Sequence, residues 1–365
     1  VPLIANRNGE QVICPEYDVP VSGFDVLEWS VYAQDEWQAT EKLQVTAGLR
    51  YGGTSFRDEP LRVDTLERTL GVATGVVPDF SGLSPRLSFM YDATDAHALR
   101  GGVGLLIGRT PLVLAGNVFQ TEKLFRQLEC TGAGIPRLDV GEWLSSPDGQ
   151  LNPAGCAGGA TARQGVPEFS VFSRGFELPR TLKANLGYEG VLPSGTRFSA
   201  DVIFSDTRRN FTVLDANLRD SVFTLTSEAG RPVYVPAARL GGGFTSTRQA
   251  DRSRNVGFDR VYVNTSDGEA RAWNLNFEVD QNLGAVLQVG LRYGYNRASD
   301  NGSFSCCTSN EGFTGTPTAG NPNFYGNPGD AERGTWAPSD FERRHVLVAN
   351  FLWRAPLGFR LNGIF

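Results

Sequence analysis

One methionine and two histidines in 365 residues are the first scarcities of this chain. Two histidines, His97 and His345, with no C-x-x-C pair, are too few for a zinc centre of the usual kind. Neither falls in a motif with a nucleophilic serine or cysteine. Long apolar runs are missing as well, and nothing approaches the ~18 consecutive apolar residues of a membrane-spanning helix. Lysine is much scarcer than arginine, no basic stripe stands out and the net charge is −6, which argues against a nucleic-acid partner. Nothing resembles a signal peptide and Val1 is not an initiator residue, so the start has been removed or the chain is a piece of a longer one. No catalytic residue, cofactor or metal is expected, and the chain does not read as an enzyme.

Alternation is what the chain does have. In Leu43–Tyr51, the residues Leu43, Val45, Ala47, Leu49 and Tyr51 share one face, while Gln44, Thr46, Gly48 and Arg50 share the other. Period two is the signature of a strand with one apolar face. Five such pairs, each joined by a short turn, are expected as hairpins: Leu27–Tyr51, Pro85–Gly108, Thr181–Thr207, Arg271–Arg297 and Arg344–Phe365. Asp, Asn, Gly and Pro stand where tight reversals need them. Between the hairpins lie Gly52–Ser84, Arg109–Arg180, Arg208–Ala270 and Ala298–Arg343, far longer than connections in compact soluble domains.

Short turns at one end and long loops at the other are the pattern of an outer-membrane β-barrel, with turns in the periplasm and loops outside the cell. A barrel strand needs only about 9–11 residues, half of them polar, so a slightly polar mean hydropathy is no obstacle. Aromatics support the same reading. Trp29, Trp37, Tyr51, Tyr91, Tyr188, Trp273, Tyr293, Tyr295 and Trp353 lie near expected strand ends, as interfacial girdles require. Gln44, Arg50, Arg86, Arg100, Ser199, Asp201, Gln288, Arg292 and Asn296 fall on the opposite face and are the candidate lumen-facing residues. Ten strands are recognised, the last of them, Phe359–Phe365, too short to cross. Truncation in mid-strand and closure by further strands are therefore expected, because an open edge is intolerable in hydrocarbon.

All five cysteines, Cys14, Cys130, Cys156, Cys306 and Cys307, fall in expected loops, which fits an oxidising compartment. Cys130–Cys156 is the preferred pair because both lie in one loop; connectivity stays open. Gly101-Gly102-Val103-Gly104 reads as strand glycines at a close approach rather than a phosphate loop, since alternation continues through it. Asp267-Gly268-Glu269 and Asp300-Asn301-Gly302 read as turns rather than Ca²⁺ loops. Arg343 and Arg344 stand at a strand start, solvated or facing lipopolysaccharide phosphate.

Tyr32-Ala33-Gln34-Asp35-Glu36-Trp37, followed by Leu43-Gln44-Val45-Thr46-Ala47-Gly48-Leu49-Arg50-Tyr51, resembles a hairpin of TonB-dependent outer-membrane receptors. Ser84-Pro85-Arg86-Leu87-Ser88-Phe89 with Leu99-Arg100-Gly101-Gly102-Val103-Gly104 resembles the hairpin that follows it. Phe341-Glu342-Arg343-Arg344-His345 with Leu352-Trp353-Arg354-Ala355-Pro356-Leu357-Gly358 resembles a late hairpin of the Oar-like branch, with Phe341-Glu342 replacing the usual acidic lead-in. The resemblance implies an all-β, antiparallel, up-and-down transmembrane barrel segment with long extracellular loops, about ten strands of a barrel of about 22 around a plug. Residues 1–26 would form an extracellular loop and 27–365 the partial barrel; plug and TonB box are not recognisable here.

Three function classes follow. The first is an uptake receptor that binds a bulky nutrient at its loops and imports it with TonB-coupled energy. The second is a passive channel. The third is a surface adhesion or interaction barrel. The first is preferred on the motifs, with outer-membrane lipid and lipopolysaccharide, the TonB complex through a plug, and an unidentified extracellular ligand as partners.

Overall fold

The computed structural model describes residues 3–5, 11–13, 24–119, 128–129, 132–135, 156–159, 163–164, 166–226, 231–234, 236, 253–301 and 336–365. Ten strands build one antiparallel meander: β1 (Val26–Thr40), β2 (Leu43–Phe56), β3 (Phe80–Thr94), β4 (His97–Ile107), β5 (Arg180–Val191), β6 (Arg197–Asp215), β7 (Val261–Leu283), β8 (Leu287–Asp300), β9 (His345–Arg354) and β10 (Arg360–Ile364). Each strand pairs with its sequence neighbours, so the five expected hairpins are present and the long loops join them edge to edge. The strands β1 and β10 are the two edges of this sheet.

Several strands run further than their alternation. The ladder between β6 and β7 continues to Asp215↔Tyr262, well past the expected boundaries at Thr207 and Arg271, through irregularities at Asn210 and Thr212. Backbone pairing needs no side-chain pattern; alternation is imposed only where one face meets an apolar medium.

The long loops fold partly into structure of their own. Pro111 precedes α2 (Leu112–Phe119), whose Leu114, Ala115 and Val118 form the buried side. The short strand Phe169–Phe172 joins the start of β7 in parallel and is buried along its length. Phenylalanines gather there from distant parts of the chain. Phe24 stacks on Phe119 at 4.7 Å, Phe56 meets Phe80 at 5.4 Å, and Phe172 meets Phe176 at 4.8 Å. Leu114, Val213 and Tyr262 complete this cluster. The main buried core among the described residues is thus a cap at the loop end of the sheet, built around phenylalanines.

Beside the cap, α1 (Asp64–Leu70) sets Leu66 against Val72, Phe169, Phe258 and Val261. The helix ends at Gly71, whose φ of 68° is left-handed and whose N–H bonds Glu67 O. Thr74 donates to Glu67 Oε1 from both its N–H (3.1 Å) and its Oγ1 (3.0 Å), and Arg62 reaches Oε2 at 3.1 Å. Those two Thr74 bonds, with Arg62 behind them, hold the Glu67 carboxyl below the usual carboxylate range. A depressed folded pKa contributes stability above the unfolded value of about 4.3 and loses it as pH falls through the folded one. Hydrogen exchange at Val63 and Thr74 is therefore expected to accelerate below about pH 4, and Glu67→Gln should remove that acid-dependent step. An unchanged profile in the variant would show that Glu67 does not clamp the loop.

Candidate functional site

The register sorts the sheet's side chains onto two faces. One carries Leu87 opposite Ala47 and Val103, then Leu186 opposite Val202, and Phe277 opposite Tyr293. Leu87, Val103, Leu186 and Phe277 are exposed, Leu87 and Phe277 each at 50%. An apolar face of this extent far exceeds the patches that water-soluble monomers show. Trp29, Trp37, Tyr51, Tyr91, Tyr188, Trp273, Tyr293 and Trp353 all lie on this face. Trp37, Tyr91, Tyr188 and Trp353 stand towards the short turns, while Trp29 and Tyr51 pack edge to face at 5.2 Å near the loop end. From Trp29 to Trp37 is roughly 27 Å of strand, or about 20 Å vertically at the usual tilt. Asp35 also lies on this face, opposite Ala47 and close to Trp37.

Gln44, Arg50, Arg86, Arg100, Asp201 and Arg292 share the other, polar face. Towards the turns its arginines Arg100 and Arg292 are each met by carboxylates. Arg100 is held between Glu189 (2.6 Å) and Asp201 (3.1 Å). Arg292 pairs with Glu278, stands 3.7 Å from Asp280 and donates to Asn350 at 2.8 Å. Gln44 bonds Glu36. The partners Glu189, Glu278 and Asp280 escaped the sequence reading, although each occupies the same alternate positions as the arginines.

Nearer the cap the balance changes. Arg50 and Arg86 line a cleft of about 380 Å³ with Arg109, and Glu28 is its one lining carboxylate. Thr110 Oγ1 donates to Thr54 Oγ1 at 2.7 Å and Gly108 N–H to Pro179 O at 2.8 Å, which fixes the roof. Arg109 follows β4 in the long loop, where alternation gives no signal. Gly52, Gly53, Gly82 and Gly108 line the cleft; beside it, a Cβ at Gly104 would come within 3.2 Å of Arg86 Cγ, so the arginine lies across that glycine. At Gly101 a Cβ would meet the Phe89 ring at 2.6 Å, which makes this run strand glycines at close approach.

The remaining candidates are placed as follows. His97 Nδ1 lies 3.0 Å from Tyr188 Oη and His345 Nδ1 2.8 Å from Tyr293 Oη. Asp267-Gly268-Glu269, expected as a turn, lies instead within β7, where Gly268 pairs with Asn210 across the irregular part of the ladder. Asn301, just past β8, accepts from Glu269 N–H at 2.6 Å and donates to Asp267 O at 3.3 Å. Among the described residues no group of acids, histidines and cysteines is placed to hold a metal. Arg344 is engaged by Glu342 at 2.7 Å. Cys156 is disulfide-bonded, whereas Cys130, Cys14, Cys306 and Cys307 lie outside the described residues.

A family model described as an outer membrane beta barrel domain matches residues 16–363. None of the curated proteins matches the chain. Among solved structures, the FrpB iron transporter from Neisseria meningitidis (F3-3 variant) is similar over 93% of this chain and 32% of its own, at 9% identity and a TM-score of 0.45. The alcaligin outer-membrane receptor FauA from Bordetella pertussis is similar over 93% and 36%, at 10% identity and a TM-score of 0.36. The ferric yersiniabactin uptake receptor FyuA from Yersinia pestis gives 92% and 33%, at 10% and 0.39. The chain spans about a third of the length of each of these solved structures.

Proposed function

Because this chain belongs to the outer membrane β-barrel domain family, we propose that it is wall and loops of an energy-coupled uptake receptor of the TonB-dependent kind, in its Oar-like branch. Its place is the outer membrane. The observation that carries the reading is the two-faced meander: short turns at one end, an aromatic cap built from the long loops at the other, and a charged face between them. The apolar face meets lipid and lipopolysaccharide, and its aromatics sit at the two interfaces. The polar face lines the lumen, where charges stay hydrated. The turn end faces the periplasm, a plug elsewhere in the full-length protein engages TonB, and the capped end receives the nutrient.

Cells with and without the full-length protein should be compared under single-nutrient limitation by iron chelates, glycans and peptides. A growth defect in one limitation, reproduced by loss of TonB and by collapse of the proton gradient, is the expected result. A defect indifferent to both would make the protein a passive channel. Normal growth everywhere, with adhesion lost on deletion of the loop 109–180, would make it a surface-interaction barrel.

A further inference from the structure

The polar face is electrically lopsided. Its turn end carries five carboxylates, Asp92, Asp95, Glu189, Glu278 and Asp280, around one cleft whose only lining arginine is Arg197. Its loop end carries Arg50, Arg86 and Arg109, and no carboxylate or carbonyl among the described residues meets any of the three guanidinium groups. The two arginines nearest in kind, Arg100 and Arg292, are each held by two carboxylates. Arg50 pairs with Ser84 and Arg86 with Gly48, so the two are diagonal neighbours on adjacent strands. Like charges at this diagonal spacing repel one another. The row through Arg86 continues across Gly104 to Lys183, adding a further cation about 10 Å away. Three arginines thus line one cleft against the single carboxylate Glu28, with Lys183 two strands away, in a chain whose net charge is −6.

We propose that this cleft, formed by Arg50, Arg86 and Arg109 with Lys183 beside it, binds a small organic polyanion of the polycarboxylate or phosphate-ester class. Three features support that ligand chemistry. Guanidinium groups offer paired donors matched to carboxylate and phosphate oxygens. The cleft's volume of about 380 Å³ is suited to a small molecule rather than a single ion. Its walls are half strand, half cap, so the arginines of β2 and β3 are presented by paired backbone while Arg109 descends from the tethered roof. The acidic turn end sets up a potential that favours anions at the mouth over anions deeper in the lumen. The inference rests on the receptor reading only for its physiological meaning, and its test is independent of transport.

The test is calorimetric titration of the full-length protein in detergent with citrate, inorganic phosphate and inositol hexakisphosphate. Saturable binding of at least one is expected, weakening as salt rises. Each of Arg50→Gln, Arg86→Gln and Arg109→Gln should weaken it by about tenfold, as loss of one charge-assisted bond implies. Arg86→Lys should keep more affinity than Arg86→Gln. Arg292→Gln, on the same face but away from the cleft, should leave binding unchanged. Heat-modifiable migration confirms that each variant is folded, and Arg86→Lys serves where a glutamine variant is not. No saturable binding of any probe would overturn the proposal, and would mean that the arginines meet carboxylates elsewhere in the full-length protein. Equal loss in Arg292→Gln would overturn it too, by showing a general charge effect. Uptake can persist when this test fails, and binding can persist when uptake is indifferent to TonB, so the two readings stand or fall separately.

Discussion

Arginine in place of Leu87 is expected to cost about 2–4 kcal/mol of folding free energy in a bilayer, and arginine in place of Thr46 far less. Leu87 lies on the apolar face of β3, flanked by Ala47 and Val103, well inside the aromatics at either end. A guanidinium there must be carried into hydrocarbon or drag water and headgroups after it. Thr46 lies on the polar face of β2, opposite Glu36 and Ser88. An arginine at that position gains a carboxylate neighbour and stays in contact with water. Urea titration of the full-length protein refolded into vesicles, followed by heat-modifiable migration, measures the difference. Equal costs at the two positions would mean that the faces are not divided between lipid and lumen.

Much of that division could be read from alternation alone. Leu43 to Tyr51 fixes the faces of β2, and the observed ladder Leu43↔Tyr91, Val45↔Phe89, Ala47↔Leu87 carries the same phase into β3. Because side chains repeat every two residues, a one-residue slip would turn every apolar group over, so pattern and register specify each other. The strand ends were not legible for the same reason. Val261 to Ala270 pairs with β6 although its polar residues Asn264, Thr265 and Ser266 follow no alternation, since the cap rather than a membrane surrounds them. The cap itself left only faint traces. Leu112-Val113-Leu114-Ala115 and Phe169-Ser170-Val171-Phe172 are short apolar runs that length alone cannot assign to helix or strand. Of the basic cleft, Arg50 and Arg86 follow from strand phase, whereas Arg109 is set by the contacts of Gly108 and Thr110, which are tertiary.

Phe80→Ala is expected to open the cap while leaving the membrane sheet intact. Phe80 is 1% exposed, stands on the polar side of β3, and its ring touches Phe56 at 5.4 Å, Phe172 at 5.6 Å and Phe176 at 5.7 Å. Removing a buried phenylalanine costs about 3–5 kcal/mol, from lost transfer energy and the cavity left behind. This ring bridges Phe56 of β2 to Phe172 and Phe176 of the 169–176 segment, so the loss falls on local opening of the cap. Proteolysis tracks the population of the open form when closure is fast, and cleavage within the loop 109–180 should therefore rise on the order of 10²–10³-fold. Phe277→Ala provides the contrast. That ring is half-exposed on the apolar face, and its removal should leave loop cleavage at the parental rate. Heat-modifiable migration should be the same for all three proteins, because Phe80 stands at the loop end of β3 and the ladder from Leu43↔Tyr91 to Leu87↔Val103 lies away from it. If Phe80→Ala instead lowers barrel yield and leaves loop cleavage unchanged, the phenylalanine cluster is part of the barrel's folding core, and the loops are held by something else.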